Sequence, residues 1–328
     1  VLPGFPTSAI FTFHEFVAPL LRRLAGLPTH ERGIVQATVP LRITSAPGRT
    51  EYNLVDLVEG PTGPAAYPQG AGSGSVTAFG RADGFIRIPA STEFIDEGAL
   101  VAVHLLHPEW RPADLVVIGS HCVGLDYLLG LLADRGYRVK MVPVGSTGGL
   151  TAVGRGEADL AGIHLMDAET GEYNTPFLPP GVRLLRGYRR RQGIVFRSDD
   201  HDLVEAENGT LLEMLRSGRH RMVNRNPGSG TRVLIDQLLD GSRPAGYLHQ
   251  PRTHHAVAAA VEQGRADWGV TLDTVADSAG LTFRFLQDEQ FDLAVPEPRW
   301  DRPAVSALRE LLNDAGVVDT LRRMGFEK

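Results

Sequence analysis

Three stretches of the sequence set hydroxyl side chains beside glycines directly ahead of an apolar helical stripe. They are GSHCVG, with Ser120 and His121; GSTGG, with Ser146, Thr147 and Gly148; and NPGSGTR, with Ser229, Gly230, Thr231 and Arg232. Glycine and proline mark a turn, and the leucines and valines that follow recur at helical spacing, so each set sits at a helix N-terminus. Unpaired N–H groups and the positive end of the helix dipole attract an anion there. A serine or threonine at a helix start is an N-cap in any case. Three such turns at equivalent strand ends point further, to a cleft that holds an anion mainly by neutral donors, with Arg232 as a charge-assisted one. A protonated phosphate also needs an acceptor, and none lies inside the three loops, so the pattern leans to a fully deprotonated anion, with Asp126, Asp236 or Asp273 as the acceptors that a protonated one would use.

The elements that must carry these turns follow from the periodicities. After a linker at HPEWRPAD, residues 107–114, the chain reads as strand LVVIG, helix VGLDYLLGLLADRG and strand RVKMVPVG. A short helix and a third strand follow, a βαβαβ unit with a parallel sheet. QGIVFR, HRMVNRN, the helix after Ser229, HHAVAAAVEQG, ADWGV, FRFL and FDLAV build a second α/β lobe. Ligands of open α/β sheets sit beyond the strand ends, so the cleft lies between two lobes. His164, Asn174, Arg190, Asn224, Arg225, Tyr247 and Thr253 also fall at strand ends and are further candidates for the lining of the cleft. Taken singly, His164 reads as a satisfied core histidine, Thr253 as an N-cap, and the arginines at 186 and 189–191 as a solvated face. Ahead of the linker, residues 33–107 alternate at period two between Gly, Pro and Ser clusters, the pattern of a small all-β domain. GAGSGSVTAFGRADGF reads there as a turn leading into a short helix. Residues 1–32 read as a helical segment capped by Thr7 or Ser8, and the opening LPGFP reads as the tail of something longer.

A balance of 33 basic against 39 acidic residues, net −6, offers no field for nucleic acid or an acidic membrane. No uninterrupted apolar run reaches the roughly 18 residues of a membrane span. The lone cysteine, Cys122, excludes an internal disulfide or a cysteine zinc site and fits a reducing compartment. Residues 1–24 lack a positive n-region, and the expected location is cytoplasmic. No P-loop, GxSxG, HExxH or dinucleotide GxGxxG is present. The chain therefore reads as a binder, with no catalytic or metal-ligating set.

Residues 108–328, through GSHCVGLDYLL, GSTGG, ADLAGIHLMDAETGEYN and NPGSGTRVLIDQLL, resemble the type 2 periplasmic-binding-protein-like domain found beside molybdenum-cofactor modules. The same loops are similar to those of tungstate- and phosphate-binding proteins of ABC transporters. The resemblance implies a two-lobed α/β fold after the small all-β domain. It implies an oxyanion ligand, molybdate or tungstate, held by Ser120, Ser146, Thr147, Ser229, Gly230, Thr231 and Arg232, to be sensed or delivered for cofactor assembly; His121, Gly148, Asn174 and Thr253 join the expected ligand-binding set from the loop and strand-end reading alone. LPGFPTSAIFTFHEFVAPLLRRLAG and GSGSVTAFGRADGFIRIP resemble the C-terminal part of molybdopterin molybdenumtransferases. For that family the resemblance implies molybdopterin and magnesium, a homodimer through the parent domains, and a molybdopterin loop bordered by Pro3 and Pro6. Phe5 replaces the usual asparagine of that loop, and the catalytic domains with their magnesium-binding acids are absent from this sequence, so this chain alone is not expected to transfer molybdenum. A pterin or other small organic anion is the alternative ligand.

Overall fold

The computed structural model describes residues 3–28, 33–69, 76–167, 169–227, 229–251 and 253–328. It divides into two compact units, Val1–Val116 with Arg155–Ala158, and Val117–Gly154 with Asp159–Lys328.

The first unit is built on period-two alternation. Five strands close into a barrel in the order Ile34–Thr38, Gly63–Pro68, Glu51–Gly60, Gly84–Ile88, Leu100–Leu105. Inward Val55, Leu57, Ile86, Ile88 and Val103 fill it, and closure removes the exposed edges that a small open sheet would carry. The expected helix at the start of the chain is present, with its details changed. It begins at Pro6 with Phe5 as N-cap, because proline at the first helical position loses no hydrogen bond. It then widens into a π-turn over Phe13–Val17 before continuing as Ala18–Leu24. Of its apolar stripe Phe11 is buried, packed on Tyr52, Phe79 and Phe85 with ring centroids 5.0, 5.6 and 5.0 Å away. Phe16, Leu20 and Leu24 face solvent. The turn expected over residues 70–75 lies outside the described residues, and Val76–Arg81 forms the short helix expected after it.

The second unit is α/β. Strand Leu115–Gly119 pairs with Val139–Pro143, and Val117 bridges Leu160 in parallel. A five-stranded sheet follows in the order Ala161–Ile163, Thr282–Pro296, Val182–Phe196, Trp268–Leu272, Met222–Val223. The segments QGIVFR, FRFL and FDLAV, read above as separate short strands, are parts of two continuous 15-residue strands. These pair antiparallel from Val182 with Pro296 to Phe196 with Thr282. Register shifts between Leu185 and Tyr188 and between Gln192 and Gly193 bend the ribbon without breaking it, so one end serves each lobe. Beyond the second shift, Ile194, Phe196 and Trp268 join Leu211, Leu215 and Ile235 in one lobe's core. At the other end, helices Val123–Asp134 and Pro303–Asn313 pack together. Among the described residues no helix is long and apolar enough to cross a membrane.

Glycine is required where the ribbon's strands approach most closely. A Cβ on Gly187 would lie 2.3 Å from the carbonyl oxygen of Phe291, a backbone atom that cannot move aside without breaking the ladder. Gly187→Ala is therefore expected to lower stability by about 2 kcal/mol, roughly 4–8 °C in melting temperature for a unit of this size, as read by thermal unfolding monitored by circular dichroism.

Candidate functional site

Antiparallel register sets Arg190 directly opposite Glu289 in the ribbon, with Gln192 two residues further on the same face. Arg190, Gln192 and Glu289 are each 1% exposed. Glu289 is shared by two partners. Its Oε1 lies 2.6 Å from Nδ1 of His164, which follows the neighbouring strand Ala161–Ile163, and its Oε2 accepts from Nη2 of Arg190. Burial alone would raise the pKa of this carboxyl, but Arg190 and His164 outweigh it and hold it down at about 2. Burial lowers the pKa of His164 against the pull of Glu289, so the ring is neutral.

Around this pair the lobes bring further polar groups. The backbone N–H of His164 donates to Ser146 Oγ at 3.1 Å, and Ser146 Oγ meets Ser120 Oγ at 2.9 Å. Both serines are buried. Ser146 opens the helix Ser146–Gly154, and Ser120 lies three residues ahead of Val123–Asp134. From the other lobe comes the start of helix Gly230–Leu239. A Cβ on Gly230 would lie 2.7 Å from the His164 carbonyl oxygen and 3.6 Å from Glu289 Oε1, so the two lobes touch at this point. Thr231 behind it is fully buried. Arg225, 5% exposed, lies within the fields of Glu289 and Arg190, and burial pulls its guanidinium down to about 10, still charged at neutral pH. His254 opens helix His254–Glu262, its Nδ1 3.2 Å from Thr271 Oγ1, and burial next to Arg225 and Arg190 keeps it neutral.

Two guanidiniums, one carboxylate and two neutral imidazoles leave a net positive centre, and helix N-termini add to it. Within it Arg190 Nε and Nη1, Gln192 Oε1 and Thr231 Oγ1 are buried without a hydrogen-bond partner. Buried donors and acceptors are normally satisfied, so their concentration at one spot marks a place built for a further polar group. The described residues contain no group of three or more His, Cys, Asp or Glu side chains able to hold a metal ion.

Of the residues singled out in the sequence, Ser120, Ser146, His164, Arg190, Arg225, Gly230 and Thr231 enter this cluster. The others lie elsewhere or are bonded to neighbours. His121 is at the surface, 2.7 Å from Asp126, and Thr147 is exposed. Gly148 is half-buried against Val144. Asn174, at φ 64°, accepts from the Leu165 N–H and donates to Gln290 O and Asp292 Oδ2, which fixes a loop. Ser229 caps its helix by accepting from Arg232 N, and Thr253 accepts from Ala256 N. Arg232 is bound twice to Asp236, at 2.9 and 2.8 Å, to Tyr247, and through Nη1 to the Arg225 carbonyl oxygen at 3.2 Å, so its guanidinium is taken up by neighbours. Pro3 is exposed and Pro6 half-buried at the helix start. The arginine run reads differently here as well: Arg190 is interior while Arg186 and Arg189 stay largely exposed. Gln192, His254 and Glu289 went unnoticed in the sequence. The period-two run Gln287, Glu289, Phe291, Leu293, which leads into core positions, was the available signal for Glu289.

Because the pKa of Glu289 is depressed from its ordinary 4.5 to about 2, its contribution to stability is full above pH 4.5 and fades as the pH falls towards 2. Urea midpoints measured from pH 7 to pH 2.5 should drop across that window. The drop should be shallower in Glu289→Gln, which starts less stable by about 3 kcal/mol because Arg190 loses its counter-charge.

A PBP superfamily domain model matches residues 130–313, and the model of the MoeA C-terminal region (domain IV) matches residues 36–106. The uncharacterized protein YvgK of Bacillus subtilis (strain 168) is 30% identical over 238 residues, 67% of this chain and 72% of that protein. Among solved structures, an ABC-type phosphate transport receptor from Vibrio cholerae aligns with 65% of this chain and 99% of its own, at 14% identity and a TM-score of 0.45. The molybdopterin biosynthesis MoeA protein from Pyrococcus horikosii aligns with 33% of this chain at 38% identity and a TM-score of 0.27. This chain spans 26% of the length of that protein.

Proposed function

This chain belongs to the PBP superfamily and carries a MoeA C-terminal region, and from that premise we propose that its second unit binds a small anion between its lobes in the service of molybdenum cofactor biosynthesis. The observation that carries the reading is Arg190, a fully buried guanidinium whose Nε and Nη1 are unbonded while Nη2 is held by Glu289. A guanidinium kept out of water with two donor positions free is suited to an oxyanion, because a charge-assisted pair then replaces the lost hydration. Arg225, the helix beginning at Gly230 and the Ser120 and Ser146 hydroxyls supply further positive potential and donors. Molybdate or tungstate is the ligand that the MoeA region suggests, to be sensed or delivered for cofactor assembly. A pterin or other organic anion is a second reading, favoured by Gln192 Oε1, a buried acceptor that a bare oxyanion cannot satisfy.

Ligand that binds only the folded state raises its melting temperature, by the equivalent of about 2.7 kcal/mol at a hundredfold excess over Kd. A thermal-shift series with molybdate, tungstate, sulfate, phosphate and a pterin is therefore expected to give a rise of several degrees for at least one anion. Arg190→Lys keeps a positive charge towards Glu289 and removes the forked donors, and should weaken that anion about 100-fold. A flat response to all five compounds would remove the anion-receptor reading.

The contact between Gly230 and His164 yields a separate expectation. Gly230→Ala places a methyl group against a backbone carbonyl and should hold the lobes apart. Binding is then lost at nearly unchanged circular dichroism, and small-angle scattering shows a larger radius of gyration with ligand than wild type does.

A further inference from the structure

The same cluster also constrains the hydrogen-bonding character of the ligand. Glu289 is ionised, so it can only accept, and the proton in its 2.6 Å contact with His164 belongs to Nδ1. A neutral imidazole protonated at Nδ1 presents a lone pair at Nε2. That nitrogen takes part in no hydrogen bond among the described residues. The ring cannot turn to exchange the two nitrogens without breaking its bond to Glu289 and leaving a buried carboxylate oxygen unmatched. The cluster thus offers free donors at Arg190 Nε and Nη1, a free hydroxyl at Thr231 and a buried acceptor at Gln192 Oε1, and with Nδ1 engaged by Glu289 the His164 Nε2 lone pair is a second acceptor. An oxyanion without hydrogen can satisfy only the donors.

Resting on the anion-receptor reading above, we propose that His164, fixed by Glu289, determines specificity as the acceptor of the cleft. The ligand is then an anion that also donates a hydrogen bond, either a proton-bearing oxyanion or an organic acid with N–H or O–H beside its anionic oxygens, and of the two readings above this favours the second over bare molybdate or tungstate. A ligand lacking the donor leaves a buried acceptor unmatched, which weakens binding by about tenfold to a hundredfold.

Titration calorimetry on the full chain at pH 7 tests this with four probes. Sulfate and molybdate carry no proton at that pH, inorganic phosphate does, and pterin-6-carboxylate offers ring N–H donors. Phosphate or the pterin acid is expected to bind at least tenfold tighter than sulfate and molybdate, and which of the two does so separates the oxyanion from the organic source. In His164→Asn the side-chain amide can still donate to Glu289 from the place of Nδ1 while Nε2 is gone, and the preference should fall to within about threefold. Gln192→Met provides a second variant that removes an acceptor without touching Glu289, with the same direction expected. Sulfate or molybdate binding as tightly as the donor-bearing probes to wild type overturns the proposal while leaving the anion receptor standing, and so does an undiminished preference in a folded His164→Asn. Failure of all four probes to bind removes the receptor reading and this inference together.

Discussion

The second unit depends on one buried carboxylate. Removing Glu289 from water is costly, and it is stable in the interior because a guanidinium and an imidazole N–H each take one of its oxygens. Each of those partners is in turn fixed by the backbone. Arg190 faces Glu289 through strand register, and His164 is held by its own N–H on Ser146. The ion pair therefore joins the ribbon to the loops of one lobe, and Gly230 of the other lobe closes against the same histidine. Replacing Glu289 with an apolar residue would leave Arg190 as an uncompensated charge, so the three residues have to be treated as one unit.

The ribbon makes this arrangement possible. Two strands of 15 residues contribute to both lobes, and the register shifts beside Gly187 and Gly193 bracket the segment in which Arg190 faces Glu289. Placing the site on paired strands rather than on loops gives its charges fixed positions. The donors contributed by the lobes, at the starts of Ser146–Gly154 and Gly230–Leu239, are then brought to them.

Much of this was legible in the sequence. The change of period near residue 108 separated a β-rich part from an α/β part, and glycine-flanked hydroxyls marked helix N-termini, of which Ser120, Ser146, Gly230 and Thr231 do reach the cluster. Arg190, Arg225 and His164 were placed at strand ends, but Glu289 and the buried pair it forms were hidden for a physical reason. Arginine and glutamate are read as solvent-facing because burying either alone is prohibitive, and what makes them interior is their pairing across a ribbon 99 residues apart in the chain. Local pattern carries no information about that partner. Arg232 misled in the opposite sense: its place in a donor-rich loop suggested a ligand contact, yet Asp236, one helical turn along, takes its Nε.

The contact of Gly230 with the His164 carbonyl has a kinetic consequence. When the walls of a site meet backbone to backbone, a guest can neither enter nor leave past them, and exchange requires the lobes to part first. Residence time is then set by the frequency of opening as much as by the strength of the bonds inside. An anion held in this way would dissociate slowly even at modest affinity.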